Sequence, residues 1–155
     1  MRLTLSTRVR GHYHEVMARF DEQLLLRLSP PGIKVELLHY GGSLPGQRVH
    51  LRLRILGLIR QEWESEITEA GEHEGEIYFT DEGRRLPFGL TSWRHRHIVR
   101  QAGPGHSIII DDIHYSSRNA LLDLLLWPLF YVQFAYRKPV YRAFFRRMAR
   151  QQRTG

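Results

Sequence analysis

The segment LTSWRHRHIVRQAGPGHSIIIDDIHY, Leu90 to Tyr115, is a β-hairpin with an unusual inner face. Gly103-Pro104-Gly105 supplies the turn, and apolar and polar residues alternate on either side of it. In the first arm Thr91, Trp93, His95, His97 and Val99 share one side, while Ser92, Arg94, Arg96, Ile98 and Arg100 share the other. Trp93 and Val99 mark the first set as inward. In the second arm the inward set is Ser107, Ile109, Asp111, Ile113 and Tyr115. Closing the hairpin sets Asp111 across from His97 or His95, depending on register. The expectation is a His–His–Asp–Tyr cluster on the concealed side of a sheet, where every polar group needs a partner.

The same alternation recurs outward from the hairpin. Residues 2 to 10 place Leu3, Leu5, Thr7 and Val9 opposite Arg2, Thr4, Ser6, Arg8 and Arg10, as in a half-buried strand. One helix or two short ones follow over about 12 to 28, where Val16, Met17, Phe20, Leu24 and Leu28 recur at helical spacing and stop at Ser29-Pro30-Pro31-Gly32. Further strands are expected at about 33–40, 47–57, 60–69, 74–81, 90–101 and 106–116, parted by Gly41-Gly42, Gly57, Ala70-Gly71, Gly83 and Gly103-Pro104-Gly105. Such short connections favour antiparallel neighbours. Arg48, His50, Arg52 and Arg54 on one strand should face Glu62, Glu64 and Glu66 on the next as a solvated charge ladder. After Ser116-Ser117-Arg118-Asn119, which offers helix N-caps, the chain is apolar from Ala120 to Tyr136 and then basic. Pro128 and Pro139 predict one long bent helix or two consecutive ones. The apolar run is too short and too interrupted by Asp123, Pro128 and Gln133 for a membrane span.

The chain has 155 residues, 42% of them hydrophobic, and no cysteine, which fits a single domain and excludes disulfides, thiolate zinc sites and a cysteine nucleophile. The net charge of +7 lies in the tail: from Arg137 onward there are seven basic residues and no acid, and the rest of the chain is balanced. That distribution weighs against a nucleic-acid-reading face. In residues 138–155, Val140, Tyr141, Phe144 and Met148 lie opposite Lys138, Arg142, Arg146, Arg150 and Arg153, a basic amphipathic extension that could grip the sheet or contact an anionic membrane. The N-terminus lacks an apolar signal-peptide core, so a cytoplasmic location is expected. The His-x-His pair also fits metal ligation, but no third histidine has a forced place on that face. No metal site and no cofactor are assigned.

Three segments resemble the SRPBCC or START-like superfamily: FTDEGRRLPFGLTSWRHRH from Phe79, GHSIIIDDIHY from Gly105 and FAYRKPVYRAFF from Phe134. The family's pattern positions fall on Phe79, Asp81, Pro87, Phe88, Trp93, His95, His97, Asp111, Tyr115, Tyr136 and Arg137, with Ser107 where threonine is usual and Lys138-Pro139 interrupting the last helix. The resemblance implies an α+β helix-grip fold, as in the birch pollen allergen. Its seven-stranded curved antiparallel sheet wraps a long C-terminal helix around a cavity for a small hydrophobic or amphipathic ligand. In that cavity Trp63, Phe79 and Trp93 would supply apolar contact, and His95, His97, Asp111 and Tyr115 would orient a polar group. The same four residues are the catalytic candidates if the protein is instead an enzyme of the polyketide cyclase or dehydratase type. A peripheral membrane lipid carrier is the third expectation.

Overall fold

The computed structural model describes residues 1–154, with side chains through Gln151; Arg153 lies outside the described side chains. The chain runs β1 (Arg2–Arg10), α1 (Tyr13–Met17), α2 (Glu22–Arg27), β2 (Ile33–Tyr40), β3 (Arg48–Ile55), β4 (Ile59–His73), β5 (Glu76–Arg85), β6 (Leu90–Gln101), β7 (His106–Ser117) and α3 (Ala120–Thr154). The strands form one antiparallel sheet in the order β1-β7-β6-β5-β4-β3-β2, and α3 lies across it. This is the expected α+β arrangement.

The expected helical region is two helices, parted at Asp21, whose side chain caps α2 by accepting from Leu24 N at 2.9 Å. Asn119 caps α3 in the same way, accepting from Leu122 N at 2.9 Å. Both prolines lie inside α3, which is a single 35-residue helix. No helix among the described residues is long and apolar enough to cross a membrane.

Two expected breaks are absent. β4 runs through Ala70-Gly71 and β5 through Gly83, and the chain turns instead at Glu74-Gly75, both with positive φ. Those two glycines serve packing. A Cβ on Gly71 would meet the Tyr78 hydroxyl at 2.9 Å and its ring at 3.0 Å, and one on Gly83 would overlap Leu86. A third difference lies at the start of β6, where a bulge between Leu90 and Ser92 turns Leu90 inward and leaves Thr91 exposed. The charge ladder is present: Arg48 pairs with Glu66 and Arg52 with Glu62 in register, and Arg48 reaches Glu64 at 3.2 Å. Arg48 is exposed and its partners are only half-buried, so solvent screens the ladder and each pair contributes little to stability.

The inner sheet face and α3 make two apolar clusters. One gathers Leu3, Leu5, Trp93, Ile113, Leu126 and Phe130, among others; the second gathers Val9, Val16, Leu24, Val99, Tyr141 and Phe145. The expected tail face is therefore shifted by part of a turn. Tyr141 and Phe145 carry the burial, while Val140, Phe144 and Met148 flank them. The basic extension is the continuation of a core helix. Truncating Phe145 to alanine should remove about 3 to 5 kcal/mol of folding free energy without touching the cavity described below. Urea unfolding of the variant measures this, and a loss under about 1 kcal/mol would show that the end of α3 frays from the sheet.

Candidate functional site

Between the two apolar clusters lies a buried polar group built from three adjacent strands and α3. Strand register sets Asp81 of β5 beside His95 of β6, and Asp111 of β7 beside His97. The side chains then cross. His95 Nε2 bonds Asp111 Oδ1 at 2.9 Å, one row along, and His97 Nε2 bonds Asp81 Oδ2 at 3.0 Å in the opposite sense. The remaining approaches close the ring: His95 Nδ1 lies 3.6 Å from Asp81 and His97 Nδ1 lies 3.8 Å from Asp111. Arg137 projects from α3 onto this ring, with Nη1 3.8 Å from Asp111 and the guanidinium 4.0 Å from the centre of the Phe134 ring.

Aromatic side chains hold the imidazoles in place. Phe79 stacks on His97 with 4.3 Å between centroids, Phe20 meets the edge of both, and Phe134 stands perpendicular to His95 at 5.2 Å. Trp63 and Trp93 meet edge to face at 4.7 Å. These groups wall a cavity of about 180 Å³ that reaches from the polar ring toward α2 and β2. Its lining is mainly apolar, with Asp81, His95, His97 and Arg137 at the polar end.

Of the residues expected from sequence, Trp63, Phe79, Trp93, His95 and His97 line this cavity. Asp111 is brought to the cluster but is not a lining residue, since it sits behind His95. Tyr115 is not brought there: its hydroxyl donates to the Asp123 carbonyl at 2.7 Å and ties β7 to the start of α3. Asp81 and Arg137 stand instead at the polar end of the cavity. The family resemblance points to both as pattern positions. Period-two parity in β5, which puts Asp81 on the same side as Ile77 and Phe79, is a further signal for Asp81. For Arg137 periodicity offers none, because one arginine in a basic tail looks like the others.

Burial opposes charge throughout the ring, and the partners decide the outcome. His97 is pushed down to about 4 by burial and by neighbouring His95, against the opposing pull of Asp81 and Asp111. Burial pushes Asp81 and Asp111 up, but the imidazole hydrogen bonds and the nearby Arg137 outweigh it and leave both carboxyls below their ordinary value. At neutral pH the ring thus holds two carboxylates against a neutral His97. Asp81, His95 and His97 also offer three ligand atoms within 4.8 Å of one another, enough for a divalent cation. Those atoms are already engaged with each other, so an ion would have to displace the Asp81–His97 bond.

No protein-family model matches the sequence, and no curated protein matches it. Solved structures do. A START superfamily protein from Mycobacterium smegmatis superposes with a TM-score of 0.65 at 11% identity, covering 95% of this chain and 98% of that one. The XoxI protein of Bacillus cereus gives 0.64 at 15%, covering 93% and 94%. Norcoclaurine synthase from Thalictrum flavum gives 0.58 at 16%, covering 90% and 86%. At these identities the likeness establishes the fold: the chain has the START-like, helix-grip architecture. Within that architecture, the crossed His–Asp ring and Arg137 form the polar end of the cavity.

The depressed His97 has a measurable consequence. The unfolded chain takes up a proton at this histidine near pH 6.5, whereas the folded chain resists until about 4. Acid therefore favours unfolding across that window. Stability from this group is complete above about pH 6.5 and falls by on the order of 3 kcal/mol on the way down to pH 4. Asp81 and Asp111 add a loss of the same sign at lower pH. Unfolding free energies measured across this range should show a slope that His97→Gln flattens; an unchanged slope would mean that His97 is charged in the folded protein.

Proposed function

We propose that the protein binds a small amphipathic molecule, with its apolar body among Phe20, Trp63, Phe79 and Phe134 and a hydroxyl end on the polar ring. One observation carries this reading. Three polar atoms of the lining residues are buried without a partner, Ser29 Oγ toward α2 and, at the polar end, the Nε donor of Arg137 and Nδ1 of His97. With Nε2–H donated to Asp81, the Nδ1 of neutral His97 is an acceptor. His97 Nδ1 and Arg137 Nη1 each lie 3.8 Å from the same Asp111 oxygen, so the two side chains meet at one end of the cavity. Their joint complement is a group that accepts one hydrogen bond and donates another, as an alcohol or phenol does. A cavity of about 180 Å³ suits a ligand of roughly one substituted ring, given that a cavity of about 150 Å³ accommodates benzene. The solved relatives support this scale, since norcoclaurine synthase has been captured with dopamine and hydroxybenzaldehyde. No cofactor is required, and the protein would act in the cytoplasm.

The same geometry favours a second reading as an enzyme of the cyclase or dehydratase type. His97 is neutral near pH 7, held by Asp81 at Nε2, and open at Nδ1, which is how a general base is presented. Arg137 would then stabilise the oxyanion that forms as the proton leaves.

Calorimetric titration with alkylphenols and their methyl ethers separates these claims. The phenols should bind about tenfold more tightly than the ethers, and Arg137→Gln should narrow that gap. Equal affinity for both series, or none for either, would overturn the hydroxyl assignment. His97→Gln distinguishes the two readings: a binder loses about tenfold in affinity for the phenols, whereas an enzyme largely keeps binding and loses about 10² to 10⁴ in turnover.

A further inference from the structure

We propose that the outward face of α3 is a docking surface for an anionic lipid bilayer. The inference is independent of the ligand reading, because it concerns the side of the helix turned away from the cavity. Leu121, Leu124, Leu125, Leu129 and Val132 are 67%, 61%, 64%, 50% and 66% exposed. At about 100° per residue they fall on one side of the helix, opposite the buried Leu126, Phe130 and Phe134. Five large aliphatic side chains thus stand in water along about 16 Å of helix. Isolated exposed leucines are ordinary, but a contiguous stripe marks a contact surface.

What covers the stripe is decided by the charge that continues it. Following the same face toward the C-terminus, Pro139 and Ala143 lead to Arg142, Arg146 and Arg147, all exposed. The sequence has no acidic residue after Asp123, and no ion pair involves these three arginines among the described residues. Asp123, the one acid of the helix, is turned back to β7, where it accepts from Ser117 N at 2.6 Å. The face is therefore apolar for its first three turns and purely cationic beyond.

A second copy of the chain fits such a face poorly. A parallel pairing sets arginine against arginine, and an antiparallel one buries arginines under leucines with no counter-charge. Nucleic acid would satisfy the arginines and leave the leucines against phosphate. The headgroup region of an anionic bilayer satisfies both halves, because leucines enter the boundary of the acyl chains while the arginines meet phosphates. The apolar flank expected from the tail sequence cannot do this, since Tyr141 is buried in the core and Val140, Phe144 and Met148 pack against it.

The test is sedimentation of the full chain with phosphatidylcholine vesicles, with and without phosphatidylglycerol, at low and high salt. Binding should require the anionic lipid and weaken with salt. Leu125→Ser with Val132→Ser should reduce it about tenfold or more, and Arg146→Gln with Arg147→Gln should do the same on anionic vesicles. All four positions are exposed, and thermal melts verify that the variants fold. Leu58→Ser with Ile59→Ser at the β3–β4 turn, another exposed apolar site at 86% and 52%, should leave binding intact. Loss of binding through that turn alone would overturn the proposal, as would absence of vesicle binding. So would a dimer, detected by sedimentation equilibrium, that the Leu125 and Val132 pair dissolves.

Discussion

The crossed hydrogen bonds between His95 and Asp111 and between His97 and Asp81 are the constraint around which the rest of the molecule is arranged. Two carboxylates deep in an apolar interior are tolerable only with donors on them. Each imidazole supplies one, and the guanidinium of Arg137 adds a nearby positive charge. Since the donors come from β6 and the acceptors from the strands on either side, the ring holds β5, β6 and β7 in one register. Sliding any of them by a residue would reverse its faces and expose the ring.

The register of α3 follows from the same requirement. Arg137 must reach the ring, so Phe134 on one side and Tyr141 on the other fall against the sheet and continue the two apolar clusters. The helix is thereby fixed along its axis as well as in rotation. Its rotation leaves Leu121, Leu125, Val132 and the later arginines facing outward. One helix therefore presents a cavity wall on one side and an apolar, cationic stripe on the other, both set by a single buried charge.

The cavity exists because the polar ring interrupts the core. Aliphatic packing would close the space between the two clusters, but carboxylates and imidazoles keep their geometry for hydrogen bonding and cannot collapse freely. The unpaired Nδ1 of His97 and Nε of Arg137 remain at its polar end. A site with fixed donors and acceptors in a dry surround is suited to recognising a small polar group, and the same dryness keeps His97 neutral.

The sequence by itself determined the element order, the antiparallel sheet, the inward parity of His95, His97 and Asp111, and helix after Asn119, because each depends on local periodicity and turn chemistry; that this helix runs unbroken through Pro128 and Pro139 was decided by the tertiary structure. It misplaced the ends of β4 and β5, since Gly71 and Gly83 are small to admit Tyr78 and Leu86, and a glycine required by packing looks the same as one required by a turn. It marked Tyr115 for the site, although parity fixes only the face of a side chain and the hydroxyl's partner, the carbonyl of Asp123, comes from another element. Only the tertiary structure placed Arg137, marked in the sequence by the family resemblance alone, on the polar ring and showed that Asp81 reaches diagonally to His97. Those contacts join strands and helix far apart in the chain, and their strength comes from burial, which exists only once the layers have closed.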